Sequence, residues 1–170
     1  MATDGHDLSA YDADSLKGSA AFRVGLVVAE WNSEITHALR DGALAVLEKA
    51  GVTDIHVHSV PGSFELPLAS QWLIRHKGCD AVIAIGSVIR GETAHFDFVC
   101  QSAAQGVLRA GLDSDRPVVF CVLTDDTIEQ SRARSGGKHG NKGVEAAVAA
   151  LQMALLRRDL ASGSNWGIGL

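Results

Sequence analysis

Residues 22–51 read FRVGLVVAEWNSEITHALRDGALAVLEKAG, and this stretch decides the fold. Phe22 to Val28 is an unbroken apolar run of strand length, the pattern of a strand covered on both faces. After Trp31, Asn32 or Ser33 can cap a helix. Ile35, Leu39, Ala43, Val46 and Ala50 then recur at helical spacing, and Gly51 supplies a C-terminal stop. A buried strand followed by an amphipathic helix is the repeating unit of a parallel α/β sheet.

The unit recurs along the chain. Asp54 to Val60 reads as a short strand, followed by the turn Pro61-Gly62-Ser63 and a helix with Pro67 in its first turn, where the missing N–H costs nothing. Ala81 to Ile85 (AVIAI) is the third strand. It leads through the loop Gly86 to Gly91 into a helix capped by Thr93 that buries Phe96, Val99 or Cys100, Ala103, Val107 and Ala110. Pro117 to Leu123 (PVVFCVL) is the fourth strand. A short helix from Thr127 to Arg134, a Gly-rich turn and a last helix with Val144, Val148, Leu151 and Leu155 on one face follow it. Arg157 and Arg158 complement that helix's C-terminal dipole. Right-handed crossovers then place helices on both faces of a parallel sheet, with the functional loops at the carboxyl ends of its strands. Residues 21–160 are the expected domain, 1–20 a polar arm outside the core, and 161–170 a Gly/Ser-rich tail containing Trp166.

Composition excludes several classes. A formal net charge of −5 with no Lys/Arg block argues against nucleic acid. No apolar run approaches membrane-spanning length, and the acidic N-terminus resembles neither a secretory signal nor a transit peptide, so a cytoplasmic protein is expected. Cys79, Cys100 and Cys121 are odd in number and outside any CxxC pattern, as expected for buried free thiols in a reducing compartment. His56 and His58 share a strand face but have no third ligand nearby, so no metal is expected. GxGxxG, GxSxG and GxxxxGK[ST] are all absent.

The chemistry-bearing residues fall at strand ends and helix starts. In GSVIRGETAH (Gly86 to His95) the backbone N–H groups of Gly91, Glu92 and Thr93 would point outward at a helix start, which is an anion site. The Thr93 hydroxyl can cap the helix or donate to a phosphate oxygen. Alone, such a segment is more often just a cap. His95, in the first turn, is the residue type that gives and takes protons near neutral pH; alone it is more often a surface histidine. Arg134 and Lys142 flank the flexible stretch SGGKHGN, where a guanidinium could clamp phosphate and an ammonium act as a point charge. The bland reading of both is a solvated cation. Trp31, directly after the first strand, can stack on a flat heterocycle, whereas Phe120 alone would be core. Glu65 could accept hydrogen bonds from sugar-like hydroxyls.

Five stretches in order, AEWN with Ile35-Thr36, VPGSFELP (Val60 to Pro67), GSVIRGETAHFDFV (Gly86 to Val99), PVVFCVLTDD (Pro117 to Asp126) and RSGGKHGNKG (Arg134 to Gly143), resemble the lumazine synthase family of riboflavin biosynthesis. The resemblance implies a flavodoxin-like three-layer sandwich with a central four-stranded parallel sheet. It implies a transferase that condenses 5-amino-6-(D-ribitylamino)uracil with L-3,4-dihydroxy-2-butanone 4-phosphate and releases phosphate and water. Carried over by position, Trp31 would stack on the pyrimidine, with Asn32 beside it in the pocket. Ser63, Phe64 and Glu65 would meet the ribityl chain, and the backbone of Ser87, Val88 and Ile89 would read the ring's polar edge. Gly91, Glu92, Thr93 and Arg134 would hold the phosphate, His95 would transfer protons, and Phe120 and Lys142 would complete the pocket. No cofactor is implied.

In this family the pocket lies between adjacent subunits of a pentamer, so some of these residues should reach a neighbour's site. Pentamers packing into a hollow capsid, and riboflavin synthase as a partner, are further expectations from the resemblance. The family's aromatic position is more often Phe, and the larger indole raises the prospect of a ligand retained on it. The rival reading is a flavin- or lumazine-binding storage protein of the same fold, which would need the ring pocket but not the phosphate site.

Overall fold

The computed structural model describes residues 10–163. Four parallel strands, β1 (Arg23–Ala29), β2 (Asp54–Val60), β3 (Ala81–Ile89) and β4 (Val118–Asp125), form a sheet in the order β2-β1-β3-β4. The reversal between β1 and β3 opens a crevice at the carboxyl ends of the strands, the usual position for ligands in such sheets. Alternate strand residues feed two cores. Val24, Leu26, Val28, Ile83 and Ile85 pack beneath α1 (Ser33–Lys49) and α5 (Lys142–Ala161). Val27, Ala29, Val82 and Ala84 pack beneath α2 (Leu66–Lys77) and α3 (His95–Ser114). The result is the expected three-layer sandwich. From Val24 to Ala29 β1 reads as a continuous apolar run because both of its faces are covered.

The first helix ends as expected: Gly51 takes φ +77°, and its N–H and that of Val52 return to the carbonyls of Glu48 and Leu47. The second strand spans the expected residues, and Pro67 lies in the first turn of α2. Other expectations need correction. The segment after Ile85 is not a loop. β3 continues to Ile89 because Gly86 to Ile89 pair with Val122 to Asp125 of β4. The glycine-rich stretch before the last helix is a small antiparallel hairpin, β5 (Ser135–Gly137) with β6 (Gly140–Asn141), following α4 (Ile128–Arg134).

The described part of the arm is not all outside the core. Leu16 is only 4% exposed and joins the α1/α5 core, while Arg158 donates from Nη1 to the Gly18 carbonyl at 2.9 Å. One apolar side chain in a polar sequence left no periodic signal. Residues 1–9, and the tail's Trp166, lie outside the described residues.

The last helix also differs in detail. Its buried face is Gly143, Ala146, Ala147, Ala150 and Ala154 together with Leu151 and Leu155, while Val144 and Val148 lie at its margin. The small residues let α5 close onto α1. A Cβ on Gly143 would collide with the backbone carbonyl of Leu39. Asn141 fastens the same junction, donating to the Ala38 carbonyl at 2.9 Å and accepting from the Gly143 amide at 2.8 Å.

Candidate active site

The ends of β1, β2 and β3 build one half of the candidate site. Trp31 follows β1 and is 73% exposed, unusual for an indole without an external partner. It borders a cleft of about 530 Å³ with Glu30, Asn32, Pro61 and Ile128. Trp31 also leans on the 61–65 turn, since its ring edge lies 3.4 Å from where a Cβ on Gly62 would sit. Asn32 does not cap α1 with its side chain. It adopts φ 57°, a left-handed conformation that asparagine tolerates, and donates from Nδ2 to the Ser87 carbonyl at 2.9 Å. That bond ties the indole's strand end to β3.

Within the turn, Glu65 accepts from the Gly62 amide at 3.0 Å, so one carboxylate oxygen braces the backbone. Phe64 is exposed, while Ser63 is buried against Gly86, where a Cβ would strike its hydroxyl. The hydroxyls of Ser63 and Ser87 are buried without a hydrogen-bond partner. Ser87, Val88 and Ile89 keep β4 as their partner on one side. The β1 ladder stops at Val28 opposite Ile85, and beyond it the Ser87 carbonyl takes the Asn32 bond.

Beyond β3, residues 91–95 are exposed. The helix begins later than expected. Its cap is Ala94, without a side-chain bond, and the Thr93 hydroxyl only accepts from the His95 amide at 3.4 Å. The start therefore falls one residue later than a Thr93 cap would place it. Gly91 has no positive φ, and a Cβ there would meet nothing within 4 Å. Nothing in the described residues requires glycine at this position. His95 is exposed in the first turn of α3, and α3 itself packs on the 63–65 turn.

Phe120, Arg134 and Lys142 form a separate group at the β4 edge. They line a cleft of about 480 Å³ together with Thr124 and Glu145. Phe120 is not core: β4 is an edge strand, and the ring is 40% exposed. Arg134, in the last turn of α4, donates from Nη1 to the Gln130 carbonyl at 3.1 Å, leaving most of its fork unused in the described contacts. Lys142 is not a free cation, because Nζ bonds both carboxylate oxygens of Glu145 at 2.8 and 2.9 Å. Sequence reasoning missed Glu145, although its i,i+3 spacing from Lys142 was the available signal. The structure therefore brings Trp31, Asn32, Ser63, Glu65 and Ser87 together, with the His95 segment next along β3. It gathers Phe120, Arg134 and Lys142 elsewhere on the same chain.

The thiols take no part in either group as nucleophiles. Burial pushes Cys79 up to about 11 and Cys121 up to about 12, and half-buried Cys100 is raised by the same cause. Cys121 Sγ donates to the Lys142 carbonyl at 3.6 Å, a structural contact beneath the β4 cleft. His56 Nε2 lies 3.0 Å from Asp54. Among the described residues no three His, Cys, Asp or Glu side chains cluster as a metal site would require, and no helix is long and apolar enough to cross a membrane.

An open parallel sheet with helices on both faces defines the doubly wound α/β class, which takes its ligands at the carboxyl ends of the strands. The comparisons narrow the class. A family model described as 6,7-dimethyl-8-ribityllumazine synthase matches residues 21–158. The chain is 51% identical to the 6,7-dimethyl-8-ribityllumazine synthase of Christiangramia forsetii, over 94% of this chain and 96% of that protein. It is 51% identical to the synthase of the same name from Porphyromonas gingivalis, over 93% of this chain and 99% of that one. The chain belongs to the 6,7-dimethyl-8-ribityllumazine synthase family.

Proposed function

We propose that this chain forms 6,7-dimethyl-8-ribityllumazine, joining 5-amino-6-(D-ribitylamino)uracil to L-3,4-dihydroxy-2-butanone 4-phosphate with loss of phosphate and water. The observation that carries this reading is family membership over residues 21–158, combined with an exposed indole after β1 and an open glycine and a histidine after its sheet neighbour β3.

Each group has a task. The pyrimidine stacks on Trp31, while the backbone at the end of β3 reads its polar edge and the 63–65 turn meets its ribityl chain. The second oxygen of Glu65 accepts from a ribityl hydroxyl. Phosphate lies against the amides of Gly91, Glu92 and Thr93, and Gly91's missing Cβ leaves room for it to approach the backbone. The substrate's own amine attacks the ketone, and His95 relays the protons of imine formation and dehydration. Arg134 stabilises the charge that accumulates as phosphate leaves, and Phe120 closes over the ring. Glu145 holds Lys142 extended toward the cleft.

The site is shared between two copies. One chain supplies the Trp31-to-His95 surface and its neighbour supplies Phe120, Arg134 and Lys142, in a ring of five. Two separate clefts on one chain, each holding part of the set, support this arrangement. Incubating the purified protein with both substrates and following lumazine absorbance and fluorescence tests the reaction. A protein that binds the pyrimidine or riboflavin but never forms lumazine is a binder, and the proposal then falls.

A further inference from the structure

Arg90 carries an arrangement that the proposed reaction does not use. Its amide donates to the Asp125 carbonyl at 3.0 Å, carrying the β3/β4 pairing one step past Ile89. Its side chain then turns across residues 91–94. Nε donates to Asp126 at 2.7 Å, Nη1 donates to Asp97 at 3.3 Å, and the guanidinium lies over the Phe96 ring, 4.1 Å from its centroid. Asp126 is held in turn, its amide donating to Gln130 Oε1 at 2.9 Å. Residues 91–94 are exposed, and the helix they lead into lacks a side-chain cap. The one side-chain bond within that segment among the described residues is the long Thr93–His95 contact.

We propose that Arg90 is a positioning residue. By joining the entrance of the 91–94 loop to Phe96 and Asp97 at its exit, and both to Asp126 beyond β4, it fixes the anion-facing amides and the His95 ring. The inference rests on the phosphate and proton-transfer roles proposed above. Exposed ion pairs add little to global stability, so stability is not where this clamp acts. Its value is geometric. A short loop closed at both ends samples few conformations, and a binding group displaced by about 1 Å loses much of its effect. Lysine cannot reproduce the clamp, because a point charge lacks the planar fork that bonds two carboxylates while stacking on a ring.

The test compares wild type with Arg90→Gln and Arg90→Lys. In Arg90→Gln, KM for the four-carbon phosphate should rise about tenfold while KM for the pyrimidine stays within about twofold. The melting temperature should not change, and Arg90→Lys should fall between the two. Hydrogen exchange of the amides at 91–95, and titration with inorganic phosphate, read the same clamp without turnover. The glutamine variant should exchange faster there and bind phosphate more weakly. Unchanged KM values with unchanged exchange would overturn the proposal. So would a parallel rise in both KM values with a lower melting temperature, which marks a merely structural role. If wild type forms no lumazine, the proposed reaction fails, while exchange and phosphate titration still decide whether Arg90 sets the loop.

Discussion

A single Cβ separates folding from function at Gly91. Its backbone conformation suits any residue, and open space lies where a side chain would project. Alanine there should leave the folded chain intact and stabilise it by about 0.4–1 kcal/mol, by restricting the unfolded chain. It should nevertheless weaken use of the phosphorylated substrate, because the added methyl occupies the approach to the amide. A denaturation midpoint equal to or above wild type, with a raised KM for the phosphate alone, is the expected pair of results. His95→Ala should differ: turnover falls by about a hundredfold or more while pyrimidine binding persists. Asn32 shows how much of a residue's part was hidden. Its side chain was legible as a cap because it precedes an amphipathic helix, but its partner is the Ser87 carbonyl on another strand. No local pattern announces a contact 55 residues away.

At the scale of elements, strands and helices were readable wherever burial was two-sided or periodic, as in β1 and α1. The errors came where small or polar residues carry the packing. The last helix buries alanines, whose short side chains give little periodic weight, and the Gly143 approach to Leu39 depends on having no side chain at all. Gly143→Ala should therefore destabilise the chain by about 1–3 kcal/mol, since the backbone of α1 cannot yield as a flexible side chain would. The drop should appear in the denaturant midpoint. Between α4 and α1, Arg132 bonds both carboxylate oxygens of Glu34 at 2.9 Å and holds that carboxyl below its ordinary value. A carboxyl lowered on folding contributes stability above its unfolded value, and the contribution is lost as pH falls through the lowered one. The stability difference between wild type and Glu34→Gln should thus be present near pH 7 and fade below about pH 4. A difference that grows with acid would reverse the sign and refute the pairing.

For the whole molecule, the sequence supplied the members of the site but not their distribution, because chain order does not reveal which edge of a sheet a strand occupies. Trp31 ends the inner strand β1, whereas Phe120 lies on the outer strand β4. Phe98, Leu108, Leu112 and Leu160 add exposed apolar surface of the kind that association covers. If each site joins one copy's His95 to its neighbour's Arg134, two inactive variants can repair each other. In a mixed assembly of His95→Ala and Arg134→Ala chains, some contacts place an intact histidine against an intact arginine. Random mixing in a head-to-tail ring makes about a quarter of the contacts fully wild type. Unfolding the two variants together and reassembling them should recover about that fraction of activity, while each variant reassembled alone stays impaired. A site contained within one chain gives no such recovery, since every chain then lacks one of the two groups. Activity that stays at the average of the two variants would place both residues in a single subunit's site and remove the reason for a shared pocket.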